Sequence, residues 1–376
     1  MSPRRRMLFA AAAAWGLGAA RAAQSASAKP TVVLGQSVPL TGAASEIGLA
    51  YAAGAKLYVD AFNARSDSPV RIELRQLDDG YDAARAGANA KTLLAAGADM
   101  LFGFVGTASA NAAAAVAREQ GVVLLAPFAA ADALRDPAQS SIFHVRPSMG
   151  DEAFKMVQHC ATIGLSRIAV LAEDDAMGRA GLDAVNRAIA ELKLPALAGA
   201  ALVPSNSDKV DAAVTALRAL QPQAIIQVAL FKTTASFVQK MRKSGYGGTF
   251  LNFSSVGIDP LYVALGKDIQ GVVVSQVVPS PRSTGTPIVR EYLAAIEDSD
   301  QAPSYESLEG FIAAKALGEA VRRSGRGANR ATLQKALGGM TAWDAGGLRI
   351  NLRGGAREAA SAIDLITFNA EGRVIR

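Results

Sequence analysis

The chain has 376 residues, half of them hydrophobic, and its 39 basic and 33 acidic residues give a formal net charge of +6. Four arginines lie in residues 1–23, which hold no acidic residue, so the remainder carries 35 basic and 33 acidic residues, a net +2. This near-neutral remainder has no basic block interleaved with aromatic residues, which argues against nucleic-acid binding. Its length exceeds what one hydrophobic core usually supports, and we therefore predict two domains.

The first segment in chain order has the pattern of a leader. Arginines at 4–6 precede an uncharged apolar run at 7–20, and small residues at 20–22 form an A-x-A processing site, with a second such site at 26–28. A run of 14 apolar residues is too short to span a bilayer. We predict a secretory signal peptide over 1–23 and a soluble periplasmic product without a lipid anchor. Export by the Sec route is expected, with a twin-arginine signal as the alternative.

After the leader, short β-branched apolar runs alternate with longer amphipathic or alanine-rich segments. The first series predicts strands at 31–38, 70–77, 100–104 and 122–126, and helices at 48–64, 83–96 and 109–120. The second series predicts strands at 167–172, 198–203, 224–229, 249–252, 272–278 and 362–368, and helices at 152–163, 178–192, 208–220, 233–244, 287–297 and 305–324. This alternation indicates α/β lobes with parallel sheets covered on both faces, whose ligands bind beyond the carboxyl ends of the strands.

Few residues suit catalysis or metal binding. Cys160 is the only cysteine, so no intrachain disulfide is possible, and His144 and His159 are the only histidines. Cys160 lies in an apolar helical run and is interpreted as a buried core residue. The histidines lack partners at zinc-ligand spacing, and the chain has no P-loop, nucleophile elbow or dinucleotide fingerprint. We therefore predict no cofactor, no metal and no enzymatic activity.

Two polar segments lie at the ends of predicted strands. Residues 103–107, GFVGT, lead into a helix, so Thr107 and Ser109 lie beside the free N–H groups of its N-terminus. This arrangement suits a carboxylate or another anion, and ordinary N-capping explains it equally well. Glu173, Asp174 and Asp175 follow a second-series strand. We interpret them as helix-capping residues rather than a cation site, because no second acid cluster accompanies them.

One segment resembles a known family. Residues 33–42, VLGQSVPLTG, resemble the opening strand and Ser/Thr-Gly turn of leucine-type periplasmic binding proteins, the solute receptors of branched-chain amino acid ABC importers. Further similar segments follow in the family's order along nearly the whole remaining chain: Leu77-Asp78-Asp79, residues 121–127, Ala176-Met177-Gly178, residues 241–245 and the closing segment around Gly372.

The resemblance implies the type I periplasmic binding protein architecture. Two Rossmann-like lobes, each a parallel sheet flanked by helices, are joined by three hinge crossovers and close on a ligand between them. We place the crossovers near 146–147, 275–276 and 361–362. Lobe one is then predicted as 29–147 plus 276–360, and lobe two as 148–275 plus 361–376.

The resemblance also implies positions in the ligand site. Thr107 matches the hydroxyl residue that holds the ligand carboxylate, and Ser109 lies beside it. Phe128, Ala129 and Ala130 match the second contact segment, with Ala130 in place of the family's threonine. The remaining matched positions all depart from the family: Ser254 replaces the carboxylate that pairs with the ligand ammonium, Ile47, Met177 and Leu230 replace tyrosines that wall the cleft, and Tyr81 and Gly106 replace the paired lobe-one cysteines.

These departures bear on the ligand. A buried ammonium without a carboxylate partner costs several kcal/mol. Only Glu46, Asp174 or Asp175 could substitute for the carboxylate lost at Ser254. We therefore predict a carboxylate with an apolar or aromatic body and no charged amine. The apolar side chains predicted to surround that body are Ile47, Phe128, Met177 and Phe253.

The predicted function is that of a monomeric periplasmic receptor. It closes on a small amino-acid-like or carboxylate solute and delivers it to the membrane permease of an ABC importer. One alternative is a ligand sensor that docks on a chemoreceptor or another signalling partner. A less favoured alternative is an exported hydrolase that uses Asp174 or Asp175.

Overall fold

The computed structural model describes residues 29–297, 299–352, 363–369 and 373–375. The predicted signal peptide, residues 1–23, the third predicted crossover at 361–362 and the motif residue Gly372 lie outside the described residues.

The first series folds into a five-stranded, fully parallel sheet. Its strands are β1 (Thr31–Val38), β2 (Arg71–Asp78), β3 (Met100–Phe102), β4 (Leu124–Leu125) and β5 (Ile142–Phe143). They lie in the order β2-β1-β3-β4-β5. The crossover helices are α1 (Ser45–Ala64), α2 (Ala83–Ala95) and α3 (Thr107–Glu119). The order reverses between β1 and β3, and such a switch point opens a crevice at the carboxyl ends of the strands.

The second series forms a seven-stranded sheet. Its strands are β6 (Ile168–Glu173), β7 (Gly199–Val203), β8 (Ala224–Val228), β9 (Thr249–Asn252), β10 (Val272–Gln276), β13 (Asp364–Phe368) and β14 (Val374–Ile375). They lie in the order β14-β13-β10-β9-β8-β6-β7. Its helices are α4 (Met149–Thr162), α5 (Ala176–Glu191), α6 (Asp211–Ala219), α7 (Phe231–Lys243) and α8 (Ile258–Leu265). The strands from β6 to β10 are parallel, and β13 and β14 extend the sheet in antiparallel fashion.

The chain returns to the first sheet after β10. This part contains α9 (Pro287–Ile296), α10 (Tyr305–Ser324), α11 (Arg330–Gly338) and the hairpin β11 (Trp343–Asp344) and β12 (Arg349–Ile350). Helix α10 packs backbone to backbone on α1. A Cβ on Gly54 would lie 1.8 Å from the Ser307 carbonyl oxygen, and one on Gly310 would lie 2.0 Å from the Tyr51 carbonyl oxygen. Glycine is required at both positions, and the contact brings α10 over the first lobe.

The predicted fold class is confirmed, and the predicted elements differ from the structure mainly in short segments. The strand predicted at 122–126 pairs only over Leu124–Leu125, and β5, α8, α11 and the β11–β12 hairpin were not predicted. A two-residue strand is too short to show a period-two pattern in the sequence, so it cannot be predicted from that pattern. It forms because the neighbouring strand pairs with it. Gln276 still pairs with Asp364 in the second sheet, and the exact lobe boundaries stay a prediction.

Two further observations concern the described residues. Cys160 is a free, buried residue of α4, as predicted for a core position. No helix in these ranges is both long and apolar enough to cross a membrane.

Candidate functional site

A cleft lies where the carboxyl ends of the first sheet face the N-terminal end of α5. The cleft is narrow: its cavity volume, counted as the space open to the centre of a water molecule, is about 20 Å³. Most of its lining is apolar, and the described residues that line it are Ala44, Ile47, Tyr81, Val105, Gly106, Thr107, Phe128, Ala129, Ala130, Arg146, Met149, Met177, Leu230 and Ser255. An apolar cleft with a few polar groups is the usual form of a small-molecule site.

One end of the cleft is the N-terminus of α3. Gly106 precedes the helix with φ +95°, a conformation that favours glycine, and a Cβ there would lie 2.6 Å from the Tyr81 ring. Thr107 is only 4% exposed, and among the described residues its hydroxyl has no hydrogen-bond partner. The first N–H groups of α3 receive no side-chain cap. This end therefore presents free donors and the positive end of a helix dipole.

The segment after β4 forms the adjoining wall. Phe128 pairs with Val105 through an isolated bridge, and its carbonyl accepts a hydrogen bond of 3.0 Å from the Gly106 N–H. The Ala130 carbonyl accepts a hydrogen bond of 2.7 Å from the Met149 N–H. Neither the Ala129 N–H nor the Ala130 N–H donates to another described residue. Backbone donors thus remain where the family's threonine hydroxyl is absent.

The motif Leu77-Asp78-Asp79 anchors the rim of the first lobe. Asp78 accepts hydrogen bonds from the Leu40 N–H at 2.8 Å and from the Thr41 hydroxyl at 2.7 Å, and these contacts lower its pKa to about 2. Asp79 accepts a hydrogen bond of 2.8 Å from the Ser37 hydroxyl. The turn before α1 is therefore held against β2, and this places Ile47 on the cleft wall.

Tyr81 forms part of the same rim. Its backbone has φ +67°, and its N–H donates to the Asp79 carboxylate at 2.9 Å. Burial, with the acidic groups of Asp175 and Glu173 nearby, raises the pKa of Tyr81 well above its usual value. Its hydroxyl therefore stays protonated at neutral pH and can act as a donor to a ligand.

The other end of the cleft carries Arg146, which lies between β5 and α4 and is 1% exposed. Its guanidinium lies 4.4 Å from the centroid of the Phe128 ring. Its Nη2 donates to the Ser254 hydroxyl, and its Nε has no hydrogen-bond partner among the described residues. Carboxylate oxygens of Glu152 and Glu309 each lie 3.6 Å from a guanidinium nitrogen, which is ion-pair distance but too long for a good hydrogen bond.

Glu152 organises the residues behind Arg146. Its carboxylate accepts hydrogen bonds from the Ser254 N–H at 2.8 Å, from the Ser254 hydroxyl at 3.1 Å and from the Ser275 hydroxyl. Burial raises the pKa of Glu309 to about 7, opposed by the nearby Arg146 guanidinium. Four separate chain segments thus converge on one buried charge cluster beside the predicted crossover at 146–147.

Seven of the ten predicted ligand residues line the cleft: Ile47, Thr107, Phe128, Ala129, Ala130, Met177 and Leu230. The other three do not. Glu46 is exposed on the first turn of α1, and Ser109 is buried within α3, two residues and therefore about 200° around the helix from Thr107. Ser254 lies behind Arg146, hydrogen-bonded to Glu152.

Of the three acids at the end of β6, only Asp175 acts as the capping interpretation predicts. Asp175 caps α5 by accepting a hydrogen bond of 2.8 Å from the Gly178 N–H, and Asp174 pairs with Arg179 at the surface. Glu173 is buried, and its carboxylate accepts hydrogen bonds from the Thr233 hydroxyl at 2.6 Å and the Asn206 N–H at 2.8 Å. None of the three acids lines the cleft. Within the described ranges, no three metal-ligating side chains cluster.

Sequence reasoning missed several lining residues, Arg146 above all. It treated Arg146 only as a crossover marker, since an arginine before a proline indicates nothing about which way its side chain points. The other missed residues are Ala44, Val105, Met149 and Ser255, while Tyr81 and Gly106 were seen only as positions of lost cysteines. Small or apolar residues in loops carry no signal for a ligand site.

The two α/β sheets and the cleft between them define a two-lobed solute-binding protein of the type I architecture. Residues 31–373 match the model of the family described as periplasmic binding protein, and the chain belongs to that family. Proteins of this family are located outside the cytoplasm, bind small-molecule ligands and work with ABC transporters. No curated protein matches the chain in sequence comparison.

Solved structures agree with this assignment. A substrate-binding periplasmic protein from Ralstonia solanacearum has a TM-score of 0.85 at 30% identity, covering 92% of this chain and 99% of its own. A possible leucine/isoleucine/valine-binding protein from Rhodopirellula baltica SH 1 has a TM-score of 0.85 at 26% identity, with coverages of 93% and 97%. A solute-binding protein of an ABC transporter from R. palustris, in complex with benzoate, has a TM-score of 0.80 at 17% identity, with coverages of 92% and 95%.

Proposed function

We propose that the protein is the periplasmic receptor of an ABC importer of the branched-chain amino acid type. It closes two lobes on a small carboxylate-bearing solute and releases the solute to a membrane permease. The observation that carries this proposal is the cleft itself. It combines the uncapped N-terminus of α3, with the free Thr107 hydroxyl, and apolar walls drawn from both lobes.

The chemistry of the α3 end supports an anionic head group. A carboxylate there would accept hydrogen bonds from Thr107 and from the free N–H groups of α3 and Ala130. The helix dipole adds a favourable electrostatic contribution, which grows as closure excludes water. Ile47, Met177 and Leu230 would then surround an apolar body. These side chains belong to different elements, so affinity depends on the closed arrangement.

Contacts between the lobes support closure around a hinge. Arg187 of α5 pairs with Asp132, which follows the Ala130 segment, and the Met149 N–H donates to the Ala130 carbonyl. These contacts join residues on either side of the proposed crossover at 146–147. With lobes of 29–147 plus 276–360 and 148–275 plus 361–376, the cleft lies between them, and hinge motion would open it.

The lining supports binding rather than catalysis. Among the described residues that line the cleft there is no histidine, cysteine, aspartate or glutamate. A general base or an activated nucleophile needs such groups within hydrogen-bond reach of the reacting atom. A hydrolytic role for Asp174 or Asp175 therefore has no support, since one pairs at the surface and the other caps a helix.

A ligand screen tests the receptor function. Purified protein would be heated with amino acids, aliphatic and aromatic monocarboxylates, dicarboxylates and amides, followed by calorimetry on each hit. Saturation at a hundredfold excess over Kd adds about 2.7 kcal/mol of stability, a shift of several degrees in Tm. Deleting the gene should then abolish uptake of the same solute by the cell. Absence of any stabilising carboxylate, or chemical conversion of the bound solute, would contradict the proposal.

A further inference from the structure

Arg146 is the one charged residue among the described residues that line the cleft. The resemblance implies that, in family members that bind amino acids, a carboxylate side chain at the position of Ser254 pairs with the ligand ammonium. Here Ser254 occupies that position and accepts a hydrogen bond from Arg146. The fixed charge that reaches the cleft is therefore a cation, and the carboxylates lie behind it.

The guanidinium has donors to spare. A guanidinium carries five N–H groups, and among the described residues Arg146 uses one of them in a hydrogen bond, to Ser254. The oxygens of Glu152 accept hydrogen bonds from Ser254 and Ser275 and lie no closer than 3.6 Å to Arg146. Buried donors without acceptors are costly, so a ligand oxygen at this point would relieve an existing penalty.

The guanidinium is also held in place. Its Cζ lies over the Phe128 ring, which in turn packs edge-on against Tyr51 at a centroid distance of 5.4 Å. The backbone that carries it is fixed by Arg135, whose Nη2 donates to the carbonyls of Arg146 and Pro147 at 3.0 and 2.9 Å. A preorganised cation binds an anion without first losing side-chain freedom.

We propose that Arg146 is the specificity-determining residue of the cleft, binding an acidic or carbonyl oxygen of the ligand and excluding ligands that carry an ammonium group. This inference rests on the proposed receptor function and names the class of solute: carboxylates without an α-amine. An ammonium brought beside Arg146 meets a like charge in a site of low dielectric. Attraction to a carboxylate is strengthened by the same surroundings.

Among the described residues, no acidic side chain lines the cleft to reverse this selection. Glu46 is exposed on α1, Asp174 pairs with Arg179, and Asp175 caps α5. Glu152 and Glu309 are buried behind the guanidinium. They reduce the positive electrostatic potential that it produces in the cleft, but they do not line the cleft themselves. An amino acid would therefore bury its ammonium without a partner, whereas its deaminated analogue would not.

Matched ligand pairs test the proposal on the unaltered protein. Calorimetry would compare 3-phenylpropanoate with phenylalanine and 4-methylpentanoate with leucine, because each pair differs only in the amine. We expect the amine-free acid to bind at least about tenfold more tightly in the pair whose body fits. Equal binding, or tighter binding of either amino acid, overturns the inference and leaves the receptor function standing. If neither pair binds, the same comparison is made between the carboxylate found in the wider screen and its α-amino counterpart, and a screen without any carboxylate ligand overturns both the inference and the receptor function.

Variants separate recognition from support of the fold. Arg146→Met should reduce the preference for an acid over its neutral amide, measured with 3-phenylpropanoate and 3-phenylpropanamide, by about tenfold or more, and Arg146→Lys should retain part of it. Glu309→Gln removes one negative group behind the guanidinium and should tighten acid binding several-fold. Arg179→Met, which removes a surface arginine, is the matched control. An unchanged acid-to-amide ratio in Arg146→Met would show that Arg146 serves only the hinge.

Discussion

The two ends of the cleft use opposite means to attract the same kind of charge. The α3 end is uncharged: it offers a hydroxyl, backbone N–H groups and a helix dipole, all set by a short run of adjacent residues. The Arg146 end has a full charge assembled from α4, α10, β10 and the turn at Ser254. A binding group formed by adjacent residues can be predicted from the sequence, whereas one assembled from distant chain segments cannot. We expect substitutions at the α3 end to leave the stability of the fold nearly unchanged and substitutions at the Arg146 end to lower it strongly.

The largest effect should come from breaking the assembled end. Glu152→Ala removes the acceptor for the Ser254 N–H, the Ser254 hydroxyl and the Ser275 hydroxyl, and it leaves Arg146 less compensated. Loss of one partner from such a buried cluster costs about 3–5 kcal/mol, so the free energy of unfolding should fall by that amount. Urea unfolding followed by circular dichroism measures it. Glu46→Ala, at an exposed carboxylate, is the control and should change stability by less than about 0.5 kcal/mol. Similar small losses in both variants would contradict the contrast between the two ends.

The second effect concerns the local end and affects binding rather than folding. Thr107→Val keeps the shape of the side chain and removes the free hydroxyl that faces the cleft. A hydrogen bond to a charged ligand group contributes about 1.5–3 kcal/mol, so Kd for a carboxylate should rise about tenfold or more. The melting temperature of the free protein should hardly change. Calorimetry with Ser109→Ala alongside is the control, since Ser109 is buried away from the cleft. A loss of affinity in Ser109→Ala equal to that in Thr107→Val would refute the assignment.

The smallest effect on ligand binding is a pH dependence that only the Arg146 end should show. Burial raises the pKa of Glu309 to about 7, and its carboxyl faces Arg146, Glu152, Glu306 on its own helix and, more distantly, Arg135. Below that pH Glu309 is neutral and Arg146 is freer to attract an anion. Above that pH, the ionised Glu309 competes with the ligand carboxylate for Arg146. Carboxylate affinity should therefore decline between pH 6 and 8, by no more than about tenfold per pH unit. Calorimetry across this range should give a flatter profile for Glu309→Gln, and an unchanged slope would exclude Glu309 as the group.

The buried acids Glu306 and Glu309 should also make the stability of the folded protein depend on pH. Burial raises the pKa of Glu306 to about 7 as well, with Asp259 nearby. Because both acids bind their protons more tightly when folded, their contribution to stability should be full below about pH 4.5 and be lost as the pH rises to about 7, which urea unfolding across this pH range measures. Glu309→Gln should remove about half of this slope.

Much of the fold follows from local pattern. Long strands such as β1 and β6, and helices such as α1 and α10, were predicted within a few residues, because periodic apolar spacing survives in any context that buries one face. The short strands β4 and β5 and helix α8 have no such length. The α3 end of the cleft was predicted for the same reason, since Gly106 and Thr107 create it within one turn.

Local spacing thus determined two α/β lobes, and it predicted a ligand site at the strand ends and free N–H groups beside Thr107. The direction of the Arg146 side chain was decided only when α10 and β10 were brought against the segment between β5 and α4. Glu309 lies 163 residues from Arg146 along the chain, and no periodic pattern relates the two. A charge cluster of this kind forms because charged groups that lose their hydration must pair with one another to offset the cost, and that requirement arises only once the surrounding core has folded.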